Sequence, residues 1–558
     1  MIDLPLDRAL LTGLVATGGV LVLMPLGIRL APRLGMVDDP TRDARRQHAE
    51  PVPRIGGVAV VLVLAAVLAA QREVLPGLPW LLGGLAVLLG AGIVDDRGSL
   101  APWPKLFAQA VAIGLAMLGG WILPTVPIPL TGFETTASWA TWPATLLLGL
   151  VLINAVNLID GLDGLAAGLG CVAAFAYAAI AGLHGDVPTC LAATALAGCL
   201  VGALAWNSHP ARVFLGDTGS MTIGFMLHVL GLGLISSPAG GPIASPFLVL
   251  LILVIPWADS GYVMLARLAH GRHPFRGDRS HVHHQVLGLG LDHRMAVLVL
   301  VALGTLVAAL AVWLRDRPHD TLFLLTVCLA QAIIVGLRYL RRSEAWTANI
   351  GRIEAWRHRY LSSQLELQTH PRWSALLVLF ACGLAAVHLP ALFRHAEVAG
   401  LTAGAGVLVA LLSFAITRRW DHPAFALLLA LIGATLALAL EAAQWQEGLP
   451  DLGTIYAARA LTLATFATAL VLLWLQRRLH RLIDGPLDLV LLAAGACLLW
   501  LVRERLPVPP NTILAPGLAW YLACRAAAGE CGWRRWAVPM AVLVMGAALA
   551  AWQYLHVG

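Results

Sequence analysis

The chain has 558 residues, of which 59% are hydrophobic and only 12% charged, with a mean hydropathy of +0.80. So few polar side chains cannot cover a soluble globule, which excludes a water-soluble enzyme and implies an integral membrane protein. The formal charge of +6 is gathered in a few loops, so it speaks to topology and not to nucleic-acid binding.

Apolar windows of about 20 residues can each cross about 30 Å of hydrocarbon. They fall at 9–30, 55–70, 78–94, 105–124, 143–159, 165–184, 188–206, 221–237, 246–268, 295–314 and 320–341. The first lacks a small-residue cleavage site and reads as a span, not as a signal peptide. Eleven spans predict an all-α polytopic membrane domain over residues 1–341. Arg33, Arg42, Arg45, Arg46 and Arg54 lie between the first two spans, and Arg267, Arg272, Arg276 and Arg279 between the ninth and tenth. Those loops share parity, so both are expected in the cytoplasm, with the N-terminus outside. Residues 342–372 carry Trp346, Ile350, Ile353 and Trp356 at mostly helical spacings and read as an amphipathic interfacial linker. Seven further windows, at 373–392, 399–417, 424–441, 455–475, 486–502, 512–527 and 536–554, predict a C-terminal membrane domain over 373–558. Cysteines such as Cys171, Cys190 and Cys199 fall within apolar windows without ligand spacing and read as small core residues.

The polar clusters lie in the odd-numbered loops, all on one side. In VLINAVNLIDGLDGLAAGLG (151–170), Asn154, Asn157, Asp160 and Asp163 recur every three residues, so a helix would put all four near one face. The apolar run ends there, and Gly161 and Gly164 free the backbone to bend. In GIVDDRGSL, Asp95 and Asp96 are adjacent carboxylates at an interface, suited to a raised pKa or to a shared cation. FLGDTGSM sets Asp217 among glycines before an apolar helix, a turn that suits phosphate and Mg²⁺. Lys105 is the only lysine in the chain.

The ninth-to-tenth loop contributes cations: HGRHPFRGDRSHVHHQV holds Arg272, Arg276 and Arg279 beside His281, His283 and His284. Those arginines favour phosphate binding over a zinc site, which would ask for a cysteine or an HExxH pattern. The first loop holds Asp38, Arg45, Arg46, His48 and Arg54 before Gly56 and Gly57. Acids for a divalent metal, bases for phosphates and hydrocarbon alongside describe phosphoryl transfer at a membrane surface, where a metal and cations offset the repulsion of two anions. A secondary transporter would instead place ionisable groups near mid-membrane in broken helices.

These motifs resemble the polyprenyl-phosphate N-acetylhexosamine-1-phosphate transferases, the group of WecA, TagO and MraY. The matching stretches are VDD (94–96) with Pro104, Lys105 and Gln109, NAVNLIDGLDGLA (154–166), FLGDTGS (214–220) and HVHH (281–284), with Arg45-Arg46-Gln47-His48 and PVPRIGG (51–57) also similar. The resemblance covers about residues 1–341. It implies Mg²⁺-dependent transfer, with Mn²⁺ as a substitute, of a sugar 1-phosphate from a UDP-N-acetylhexosamine to undecaprenyl phosphate, releasing UMP. It places the site on the cytoplasmic face of a bacterial inner membrane. Carried over by position, Asp217 is the foremost metal ligand, with Asp160 and Asp163. Asp95 or Asp96 deprotonates or positions the lipid phosphate, and Asn154, Asn157, Asp160 and Asp163 line the nucleotide and metal site. Lys105, His48, Arg45, Arg272, Arg276, Arg279, His281, His283 and His284 contact substrate. HVHH is closer to the sugar-nucleotide branch than to the HHHFE of the muramoyl-pentapeptide branch, so UDP-GlcNAc is expected ahead of UDP-MurNAc-pentapeptide. The first loop departs from DxPxxRKxH by two extra residues and Arg46 for lysine, and Ser99 stands where the third acid of DDxxD would be. A homodimer, and a glycan-assembly partner on the C-terminal domain, complete the expected associations.

Overall fold

The computed structural model describes residues 6–38, 51–71, 75, 77–98, 100–236, 244–269, 281–343 and 346. These belong to one of the two compact units into which the chain divides. The C-terminal windows from 373 onward and nearly all of the 342–372 linker lie outside the described residues.

Each of the eleven expected windows coincides with a helix or a bent pair of helices. In chain order the first eight are α1 (Leu6–Leu30), α2 (Gly56–Ala70), α3 (Leu78–Gly98), α4 (Pro102–Leu118), α5 (Ser138–Ile159), α6 (Leu165–Leu183), α7 (Val187–Asn207) and α8 (Gly216–Ile235). They are followed by α9 (Pro246–Ile252), α10 (Val254–Ala269), the short α11 (Val282–Leu287), α12 (His293–Trp313) and α13 (His319–Arg342). Among the described residues eight helices are long and apolar enough to cross a membrane, or nine with the bent pair α9 and α10 counted as one. The chain is a helical, multi-pass membrane protein.

Three features depart from eleven plain spans. The window at 246–268 is not one rod: α9 and α10 meet at 89°. Pro256 cannot donate to the carbonyl four residues back, so it starts a helix more readily than it continues one. At the bend the Leu250 carbonyl accepts the Trp257 indole N–H at 2.7 Å. Two short antiparallel pairs also interrupt the helical pattern, β1 (Val37–Asp38) with β2 (Val52–Pro53), and β3 (Val126–Ile128) with β4 (Phe133–Thr135). Finally, α5 stops at Ile159, so Asp160 is its C-cap and Asp163 lies in the following turn. The continuous face of Asn154, Asn157, Asp160 and Asp163 is therefore broken after its second member. Gly164 supplies the left-handed φ of +82° that starts α6 in a new direction.

Burial identifies the centre. The apolar length of α8 is wholly buried, α6 and α7 are nearly so, and α1 and α13 are mostly open to their surroundings. Contacts to α8 come chiefly from α2, α3, α5, α6 and α7, with fewer from α4 and α9. Close approach is set by small residues, as between helices that gain nothing from expelling water. A Cβ on Gly57 would stand 2.1 Å from the Gly219 nitrogen, so only glycine lets α2 reach the start of α8. The same contact is extended by strand-like bonds: Phe214 N–H donates to Pro53 (2.8 Å), and Gly56 and Gly57 donate back to Phe214 and Leu215 (3.1 and 2.9 Å). PVPRIGG and FLGDTGS are thus neighbours in space, and the loops they belong to share one end of the bundle.

Candidate active site

The first turn of α8 is built around an acid from another helix. Backbone N–H groups at a helix start lack internal partners, and Asp96 near the end of α3 takes two of them. Its Oδ1 accepts from Asp217 N at 2.9 Å, and its Oδ2 accepts from Thr218 N at 3.2 Å and Thr218 Oγ1 at 2.8 Å. Gly216, at φ +69°, leaves room for that carboxylate, since a Cβ there would lie 2.5 Å from Asp96 Oδ1. Asp96 is a cap that aims Asp217. Its neighbour Asp95 faces a different partner: Oδ2 accepts from Lys105 Nζ at 2.7 Å and Oδ1 from Leu100 N at 2.5 Å. The same ammonium bonds Asp217 Oδ1. The chain's single lysine is therefore the cation shared between the α3 acid and the α8 acid, with both α3 acids buried (Asp95 7% and Asp96 6% exposed).

The two asparagines of α5 part company. Asn154 pairs with Gln109 on α4, donating at 2.7 Å, and also donates to Leu150 O at 2.8 Å, which fastens α5 to α4. Asn157 accepts from Ser220 Oγ at 3.0 Å and faces the cleft. At the end of α5, Asp160 is half-buried among acids. Burial and then the charges of Asp217, Asp96 and Asp163 push its carboxyl up to about 8, with Arg54 acting in the opposite sense. Asp163 behaves oppositely. Burial raises it, but hydrogen bonds from His209 and Ala211 and the charge of His293 outweigh that and hold it below the usual carboxylate range. The contacts are short: His209 Nδ1 lies 2.8 Å from Asp163 Oδ2, Ala211 N donates to the same oxygen at 3.1 Å, and Asp163 N–H donates to His293 Nε2 at 2.9 Å.

The HVHH motif opens α11, and its three histidines are not equivalent. His281, the N-cap, turns away from the cleft to Asp259 of α10, with Nδ1 3.1 Å from Asp259 Oδ2. The other Asp259 oxygen accepts from Val282 N at 2.7 Å. His283 is buried against Gly161, where a Cβ would come 2.4 Å from its Nε2. That burial, with His284, His281 and His293 nearby, lowers it to about 3 and keeps the ring neutral. Only His284 of the three lines the cleft.

The cleft has a volume of about 930 Å³, and Asn157, Asp160, Asp163 and Asp217 all line it. So do Arg54 and Arg212, the former paired with Asp38 at 3.1 Å across the β1–β2 hairpin. Asp160, Asp163 and Asp217 were expected to share one site, and all three line this one cleft. Arg45, His48, Arg272, Arg276 and Arg279 lie outside the described residues. Sequence reasoning missed His209, His293 and Asp259. The last had a usable signal, a lone carboxylate in an apolar window, which is a functional hypothesis by default. Its side chain is wholly buried (0% exposed). Asp259→Ala orphans the α11 N-terminus and His281 together, so a cost of about 1–3 kcal/mol is expected, read as a lower Tm of the purified protein in detergent. An unchanged Tm would mean that water replaces the carboxylate.

A family model described as "Glycosyl transferase family 4" matches residues 78–235, the segment from α3 to α8 that bears all three aspartate loops. The chain is 31% identical over 318 residues to the probable undecaprenyl-phosphate N-acetylglucosaminyl 1-phosphate transferase of Bacillus subtilis, covering 57% of this chain and 87% of that protein. It is 33% identical over 374 residues to the decaprenyl-phosphate N-acetylglucosaminephosphotransferase of Mycolicibacterium smegmatis, covering 61% and 90%. The undecaprenyl-phosphate alpha-N-acetylglucosaminyl 1-phosphate transferase of Yersinia pestis is 28% identical over 290 residues, covering 51% and 78%. With nearly the whole of the Bacillus and Mycolicibacterium relatives spanned at this identity, the chain belongs to glycosyl transferase family 4, among the polyprenyl-phosphate N-acetylhexosamine-1-phosphate transferases.

Proposed function

We propose that the protein transfers N-acetylglucosamine 1-phosphate from UDP-GlcNAc to undecaprenyl phosphate or a similar polyprenyl phosphate, with Mg²⁺, and so starts a lipid-linked glycan. The observation that carries this reading is the convergence of Asp160, Asp163 and Asp217 with Lys105 at one end of the bundle. An oxygen of the lipid phosphate attacks the β-phosphorus of the donor, the bond from that phosphorus to the bridging oxygen breaks, and UMP leaves. Both reactants are anions, so the site must offset their repulsion before they can meet.

The donor set fits a hard divalent cation. Three carboxylates face one cleft, and burial, then the charges of Asp217, Asp96 and Asp163, raise Asp160; a divalent cation held among these oxygens would offset that cost. Asp217 and Asp160 would hold Mg²⁺, which supplies charge neutralisation and Lewis acidity at the phosphates. Lys105 holds Asp217 in place, Asp96 fixes the helix start that presents it, and Arg54 and Arg212 offer guanidinium groups to phosphate oxygens. His284, the motif histidine that lines the cleft, would contact the donor.

The fuller reading has eleven spans in a transferase domain over 1–341, a linker at 342–372 and seven spans in 373–558, in a bacterial inner membrane with the cleft toward the cytoplasm. A homodimer and a glycan-assembly partner for the C-terminal domain belong to the same reading. The test is transfer of radiolabelled sugar phosphate from UDP-GlcNAc to undecaprenyl phosphate by the purified full chain. Product is expected with Mg²⁺, with loss in EDTA and recovery on adding Mg²⁺ back. Product from another UDP-N-acetylhexosamine only would correct the donor, and no product from any would overturn the transferase reading.

A further inference from the structure

The imidazoles that converge are not those of the HVHH motif. Three side chains from separate elements meet at the cleft wall: Asp163 from the turn after α5, His209 from the segment before α8, and His293 at the start of α12. One oxygen or nitrogen from each lies within 4.8 Å of the others, and this is the one such group of metal-ligating side chains among the described residues. His209 Nδ1 stands 2.8 Å and His293 Nε2 3.9 Å from Asp163 Oδ2. Donors sharing a tetrahedral ion at bond lengths of about 2.0–2.1 Å sit roughly 3.4 Å apart, a separation these two contacts bracket. The rings stack at 4.2 Å and 22°, so sharing an ion requires them to turn until both ring planes meet it.

Asp163 and the helix that bears His293 are held from behind. Ala211 N fixes the Asp163 carboxylate, Gly164 N donates to Asn207 and fixes the turn, and Asp292 caps α12 through Met295 N. Asp163, His209 and His293 all line the cleft, so a fourth coordination position opens to solvent. Chemistry separates this group from the Asp160 and Asp217 oxygens. Two imidazoles and one carboxylate suit Zn²⁺ and its borderline neighbours, whereas Mg²⁺ takes oxygen donors and water.

We propose that Asp163, His209 and His293 form a second metal site, which takes a borderline transition cation such as Zn²⁺ at the wall of the cleft. Binding replaces the proton between His209 and Asp163, which goes to solvent, and shifts His293 Nε2 from the Asp163 N–H to the metal. Occupancy ties up Asp163 and adds positive charge to the wall that carries it. The site goes beyond the transferase reading and is detected without measuring transfer, so the two fail separately.

The experiment uses the full chain, purified without a polyhistidine tag and titrated with Co²⁺ as an optical probe for the zinc site. Visible d–d absorption is expected on stoichiometric binding, bleached by Zn²⁺ and unaffected by excess Mg²⁺. His209→Asn and His293→Asn should each weaken binding by at least about tenfold, and His281→Asn should leave it within about twofold. Size-exclusion profiles identify any variant that fails to fold. Should one do so, Zn²⁺-induced thermal stabilisation of the wild-type protein, compared with that of the surviving variant, decides the matter. No bands in the wild-type protein, bands indifferent to His209→Asn and His293→Asn, or bands lost with His281→Asn would overturn the proposal.

Discussion

Asp217→Asn is expected to lower transfer by about three orders of magnitude while leaving the protein folded. Asp217 is the acid at which the cleft's three requirements meet. Its backbone N–H is capped by Asp96, its side chain is bonded to Lys105, and its carboxylate faces the cleft beside Asp160. The amide keeps volume and backbone, so the α8 cap survives, and Lys105 keeps Asp95 as a partner. What disappears is one negative charge where a divalent cation would be held. Loss of a preorganised charge at a phosphoryl-transfer centre is worth about 3–4 kcal/mol, or a factor of about 10²–10³ in rate. Removing a metal ligand adds to that. The measurement is kcat at saturating Mg²⁺ together with Tm. A variant that keeps more than a tenth of wild-type turnover would remove Asp217 from the metal site, and a large fall in Tm would reassign it to stability.

Much of this arrangement was legible because local sequence and local chemistry coincide. Apolar windows report helices in a membrane directly, since every backbone polar group must be satisfied within the segment. Asp217 among glycines and Asp160 at the end of an apolar run were visible for the same reason: each loop carries its acid and its backbone freedom together. The division of labour between Asp95 and Asp96 was not visible. Adjacent residues on a helix point about 100° apart, so one acid turns to Lys105 and the other to the start of α8.

The histidines show the same limit more sharply. HVHH reads as a cluster, but a buried carboxylate on α10 draws His281 away and Gly161 receives His283, leaving His284 at the cleft. His209 and His293 stand 84 positions apart in the numbering and carry no shared motif, yet their rings stack beside Asp163. The 89° bend in the ninth window had a visible cause in Pro256, but apolar composition alone cannot distinguish a straight span from a bent one.

Lys105→Met is expected to abolish most transfer and also to destabilise the protein, and its second-site partner separates the two effects. The ammonium bridges Asp95 and Asp217, and Asp95 is almost fully buried, so removing the lysine leaves an uncompensated charge inside the protein. Breaking a buried pair from one side costs about 3–5 kcal/mol; a value near the lower end is expected here because Asp217 still reaches the cleft. Lys105→Arg should recover only part of the loss. A planar guanidinium does not replace a compact ammonium between two carboxylates. In the double variant Lys105→Met with Asp95→Asn the orphaned charge is gone, so Tm should return to within a few degrees of wild type. Transfer should remain about 10²–10³-fold down, the scale set by losing one preorganised charge at the reacting phosphates. Recovery of both together would make Lys105 a structural counter-ion alone. Recovery of Tm without transfer would identify the chain's one lysine as part of the machinery that aligns Asp217 with the anions it must manage.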